Sequence, residues 1–146
     1  MSNTMCFSEV KTFTAYLRDG GNGPILPPTD PGAIAGLGGT FKRNSGHTEW
    51  VDGRTHQAGF TTVFTPNTKV LYDDGGRIYD IDYTSCREDK GCNTFVRAAV
   101  TARSFHATLV HVLFFDGHVR TVNNSINLAT WRALGTRFGD DQVGEF

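Results

Sequence analysis

The chain has 146 residues, 38% of them hydrophobic and 20% charged, with 17 glycines and a formal net charge of −1. That is enough for one domain, 1–146, with a core of its own, and it excludes the low hydrophobicity and high charge of a disordered segment. The near-neutral charge leaves no electrostatic footprint for nucleic acid or an anionic membrane, and no apolar run reaches the roughly 18 residues of a spanning helix.

Met5 to Leu17 alternates loosely, is rich in Thr, Phe, Val and Tyr, and predicts a strand broken near Lys11. Arg18 to Gly39 is too dense in proline and glycine for a central strand and reads as an ordered surface loop, with one helical turn over Ala33 to Leu37. His47 to Asp52 reads as a short strand closed by Asp52-Gly53, and Phe60 to Phe64 (FTTVF) as another, closed by Thr65-Pro66-Asn67. Val70 to Tyr72 and Ile78 to Tyr83 flank Asp73-Asp74-Gly75-Gly76 and predict a hairpin. Phe95 to Arg103 leads into a second hairpin, in which Val110, Val112 and Phe114 alternate with His111, Leu113 and Phe115. Asp116-Gly117 supplies its turn, read as a two-residue type I′ connection that sets His118 opposite Phe115 and His111 opposite Val122. A helix follows over Leu128 to Leu134, with Asn127 as N-cap, Gly135 as a left-handed C′ residue and Ile126 stapled onto Trp131. The expected fold is mainly β (α+β): an antiparallel sheet with hairpins, long loops and one short C-terminal helix docked on it.

The chain carries Cys6, Cys86 and Cys92. Cys6 reads as a small buried apolar residue. Cys86 and Cys92 flank a loop short enough for a disulfide, closed in an oxidising compartment and open in a reducing one. No second close pair of Cys or His completes a zinc site.

Candidate chemistry is sparse. No Gly-x-Ser-x-Gly elbow, dinucleotide fingerprint or Walker loop is present, so no catalytic motif is found and the expectation is a non-enzyme. His47, Glu49, Trp50 and Asp52 (with His56 nearby) are candidate ligand-binding residues, against the plainer reading of a polar strand edge. Asp73, Asp74, Asp80 and Asp82 are weak Ca2+ candidates, against the plainer reading of a solvated turn. No other cofactor is expected. His111 reads as a solvent-facing or hydrogen-bonded strand residue.

His106, nine residues and Asp116-Gly117 resemble the signature of the bacterial prepilin-type processing-associated H-X9-DG family, a domain of unknown function once labelled solute-binding-protein-like. The resemblance extends to Ser2-Asn3-Thr4 with Phe7-Ser8-Glu9-Val10, to Gly46–Gly53, to Gly59–Thr62, to Asn127–Gly135 and to Val143-Gly144-Glu145-Phe146. The chain departs from it at His106-Ala107-Thr108, where many relatives carry His-Pro-Gly-Gly, and at His118, where a Ser is common. The resemblance implies a pilin-like C-terminal domain from a longer pseudopilin-like protein whose N-terminal helix would anchor it in the membrane. The opening MSNTMCFSEVK is neither that helix nor a signal peptide. It further implies an extracytoplasmic or cell-envelope location, and partners among pilin-like or secretion-system subunits or further copies of the chain, with no nucleic acid. His106, Asp116 and Gly117 are then the family-motif residues, with His106 held against the Glu9 segment in a structural role. The alternative is an extracytoplasmic module binding carbohydrate or Ca2+ through His47, Glu49, Trp50 and the acidic turn; a hydrolase centred on His106 is a third reading.

Overall fold

A computed structural model describes residues 3–21, 26–87 and 95–137. Met5 to Leu17 is indeed interrupted, and its halves belong to different sheets. Strand β1 (Met5–Ser8) pairs antiparallel with β7 (Leu109–Phe114), which pairs with β8 (Val119–Asn123), giving a three-stranded sheet in the order β1-β7-β8. Strand β2 (Thr14–Arg18) lies between β3 (Thr40–Gly46) and β5 (Ile78–Thr84) in a second sheet. In that sheet β4 (Leu71–Asp73) and the short β6 (Ala98–Ala99) both pair with β5. The pairing of β2 with β5 is parallel, so this sheet is mixed rather than purely antiparallel.

Each sheet has its own core. The alternation along β7 turns Val110, Val112 and Phe114 inward, where they meet Met5, Ala102 and Val122. Helix α3 (Leu128–Leu134) lays Trp131 and Leu134, both 0% exposed, into that cluster, with Ile126 and Leu128 at its edge. The helix starts as expected: the Asn127 side chain accepts hydrogen bonds from the N–H groups of Ala129 and Thr130. Its end differs. Gly135 is right-handed at φ −85°, and its lack of a side chain serves close packing, because a Cβ there would lie 2.7 Å from Thr62 Cγ2 and force that side chain to shift. The second core gathers Leu17, Phe64, Val70, Ile81 and Tyr83, and takes Ile34 from the one-turn helix α1 (Gly32–Ala35) within the proline-rich connection.

Two expected strands are absent. Phe60 to Phe64 makes one isolated parallel bridge, Thr61 to Thr101. Its two aromatic ends serve different cores, Phe60 touching the Trp131 cluster and Phe64 sitting in the Leu17 cluster. A regular strand would place both on one face. His47 to Asp52 is a turn region, since β3 occupies the preceding residues and His47, at φ +54°, turns the chain out of the ladder. The chain then forms the single-turn α2 (Thr55–Ala58).

Candidate functional site

The strands β1 and β7 meet at a corner assembled around Glu9. The Glu9 N–H donates to the His111 carbonyl at 3.2 Å, as an antiparallel ladder requires. The reciprocal acceptor should be the Glu9 backbone carbonyl, but that oxygen accepts the Arg103 N–H at 2.9 Å. The side chain fills the place: Glu9 Oε2 accepts the His111 N–H at 2.8 Å and lies 3.2 Å from His111 Nδ1. The Ser104 hydroxyl stands beside the same carboxylate and helps keep it charged. His106 approaches from the other side, with Nε2 at 3.9 Å from Glu9 Oε1 and its ring edge-on to that of His111 at 5.1 Å. One ligand atom from each of Glu9, His106 and His111 lies within 4.8 Å of the other two.

The loop carrying His106 is pinned by two asparagines. Asn67, in the left-handed region at φ +57°, accepts the Ser104 N–H at 2.8 Å and donates through Nδ2 to Asn124 Oδ1 at 2.8 Å. Asn124 in turn donates from its backbone to Thr108 and from its side chain to Ala107. These bonds give the segment a fixed course where the sequence has Ala-Thr after His106. Within the loop, the His106 N–H donates to Ser104 Oγ at 3.1 Å. Partial burial pushes the Glu9 carboxyl upward. The His111 N–H, the Ser104 hydroxyl and the His111 ring together outweigh it and hold the group below the usual carboxylate range.

The Asp-Gly turn is present with a different register. Gly117 alone takes positive φ, at +87°, while Asp116 does not. The Gly117 N–H donates to the Phe114 carbonyl, and the Phe114 N–H to the His118 carbonyl. This is a turn followed by a left-handed glycine bulge rather than a two-residue I′ turn. The extra loop residue slips the pairing by one, so His111 stands opposite Thr121 and Val110 opposite Val122. Asp116 accepts the His118 N–H at 3.3 Å and contacts the His118 ring, which stacks on Phe114 at 4.4 Å.

The slipped register lines up a second feature. Phe7 pairs with Leu113, and Leu113 with Val119, across all three strands on the face opposite the core. Phe7 is 62% and Val119 61% exposed, and a shallow groove of about 260 Å³ runs between this apolar row and the Glu9–His111 pair.

A family model described as a protein of unknown function (DUF1559) matches residues 1–129. The chain belongs to that family. No curated protein and no solved structure matches it.

Elsewhere in this DUF1559 chain the residues singled out from sequence do not converge. His47 is buried, its Nδ1–H donating to the Gln57 carbonyl at 3.1 Å, whereas Trp50 is 85% exposed. The Glu49 N–H is spent on the Gln57 side chain, and Asp52 is occupied by the backbone and guanidinium of Arg54. His47, Glu49, Trp50 and Asp52 therefore range from core to surface, with His47, Glu49 and Asp52 each engaged by a contact of its own.

The acidic residues are likewise engaged separately. Asp80 and Asp82 both bind the buried Arg103, Asp80 through Nε at 3.2 Å and Nη2 at 3.0 Å, Asp82 through Nη1. Burial pushes the Arg103 guanidinium down, and the two carboxylates more than reverse it. Asp73 caps the Gly76 N–H in the β4–β5 turn, and Asp74 pairs with Arg43. Asp80 and Asp82 thus serve a clamp on Arg103, while Asp73 and Asp74 are engaged separately in the turn and with Arg43. Cys86 is disulfide-bonded and Cys6 is a half-buried free thiol; Cys92 and Val143–Phe146 lie outside the described residues.

The sequence brings His106 toward the Glu9 segment through the family motif, whereas no local motif marks Glu9 or His111 as site residues. The available signal was Glu9 itself, a lone carboxylate in an otherwise apolar and hydroxylic strand end.

Proposed function

We propose that this chain is a non-enzymatic, pseudopilin-like structural or adaptor domain that works at the cell envelope beside a type II secretion or pilus-like assembly. The observation that carries the reading is the apolar row Phe7–Leu113–Val119 on the outer face of the β1-β7-β8 sheet. Large apolar side chains in register across three strands are an interaction surface in waiting, since a solvated sheet face normally alternates to polar residues there. The motif residues support a structural role for the same corner: Gly117 supplies the bulge, Asp116 holds the turn, and His106 faces Glu9. The partner that fits is a pilin-like subunit of the assembly, seated on this row. Among the described residues no helix is long and apolar enough to cross a membrane, so any anchoring would come from a segment outside them.

The test is site-specific photo-crosslinking in cells producing the full-length protein. A photoreactive residue at Val119 should capture a pilin-like subunit, while one at Ile78, equally exposed on the other sheet, should not. Equal capture from both positions, or none from Val119, would overturn the reading.

A further inference from the structure

We propose that Glu9, His106 and His111 form a binding site for a divalent transition metal of the zinc class, with at least one coordination position open to solvent. The inference stands independently of the adaptor reading. Two imidazoles and a carboxylate are a donor set suited to Zn2+ and its first-row neighbours rather than to Ca2+ or Mg2+, which favour oxygen.

The spacing is near what an ion needs. Zinc bonds of about 2.0–2.2 Å at tetrahedral angles place neighbouring donor atoms about 3.4 Å apart. His111 Nδ1–Glu9 Oε2 at 3.2 Å is already close to that value, His106 Nε2–Glu9 Oε1 is the longer of the two histidine–carboxylate separations at 3.9 Å, and one ligand atom from each residue lies within 4.8 Å of the others, so His106 must draw in to share an ion with them. The longer one exceeds hydrogen-bond reach, so His106 and Glu9 face each other across a gap that their own contact does not close.

The support around the ligands is of the kind that orients a metal-binding carboxylate. The His111 N–H fixes Glu9, and Ser104 Oγ receives the His106 N–H, so a neighbouring donor or acceptor orients two of the three ligand segments. The remaining freedom lies with His106, whose side chain is 56% exposed and free to swing toward the other two ligands. Folding alone explains Glu9 as a ladder acceptor. It does not explain two half-exposed imidazoles, one from a loop and one from a strand, converging on that carboxylate.

The experiment uses tag-free protein stripped with a chelator and titrated with ZnCl2 by calorimetry, with Co2+ as a spectroscopic probe. One equivalent of Zn2+ should bind with micromolar or tighter affinity, and Co2+ should acquire the visible absorption of nitrogen ligation. His106→Ala should weaken binding at least about tenfold with unchanged circular dichroism. His118→Ala, which removes an imidazole held by Asp116 outside the cluster, should bind as the wild type does. Absence of saturable binding, or binding that survives His106→Ala or is lost equally in His118→Ala, would overturn the proposal. The crosslink from Val119 requires no metal, so the two outcomes are separable.

Discussion

The carboxylate of Glu9 occupies the ladder position of its own backbone carbonyl, accepting the His111 N–H at 2.8 Å while that carbonyl serves Arg103. A side chain here acts as backbone, and an alanine would remove the protein acceptor of the strand N–H. Hydrogen bonds to charged groups contribute about 1.5–3 kcal/mol, so Glu9→Ala should destabilise by that amount. Glu9→Gln, which keeps an acceptor oxygen, should lose roughly half as much. Urea denaturation of the two variants checks both the size and the order.

Gly117 is the residue on which the slipped hairpin register depends. Its φ of +87° lies where a side chain is strained even though no neighbouring atom crowds a Cβ. Gly117→Val should cost about 1–2 kcal/mol, and Gly117→Asn, whose side chain tolerates the left-handed region, distinctly less. An unchanged melting temperature in Gly117→Val would remove the bulge from the account.

Arg103 clamps β5 through Asp80 and Asp82 and also donates to the Ile81 carbonyl. Deleting one partner of a buried ion pair costs about 3–5 kcal/mol because the other charge is stranded. Arg103→Met should fall in that range, and adding Asp82→Asn should recover part of the loss. Two variants with simply additive effects in chemical denaturation would show that the clamp is not coupled.

The burial of His47 sets the sign of a pH dependence. Burial pushes its imidazole below the usual value near 6.5, against the opposing pull of Asp82 and the Gln57 carbonyl and together with the Arg103 charge. Below that value the unfolded chain takes up a proton that the folded chain resists, so stability falls as pH drops through about 6.5 toward the folded value. His47→Asn accepts the left-handed backbone and should flatten the slope between pH 7.5 and 5.5. Stability curves measured across that window decide it.

What could be read from the sequence was local. Asp116-Gly117, Asn127 and the Asp73–Gly76 run announce their turns and cap through residues adjacent in the chain, and the break near Lys11 follows from the failing alternation. The hairpin was legible but its register was not, because Asp116 keeps a negative φ and leaves glycine alone to bend the strand. Phe60 to Phe64 has the composition of a strand, yet its aromatics are drawn to two cores that no local pattern reveals. Strand β3 is not legible locally, because Thr40 to Gly46 carries two cations and an asparagine and shows little alternation. The site was least legible of all: Glu9 and His111 are 102 residues apart, and they meet only because β1 finds β7.

The corner itself is tested most directly by amide hydrogen exchange at His111. In the wild-type protein this N–H should be strongly protected, and in Glu9→Ala it should exchange at least about tenfold faster, an effect of about 1.4 kcal/mol. The amide of Val110 on the same strand should stay slow in both. Rapid exchange of His111 in the wild type, or a rate indifferent to the loss of Glu9, would contradict the Glu9–His111 link from which the rest is built.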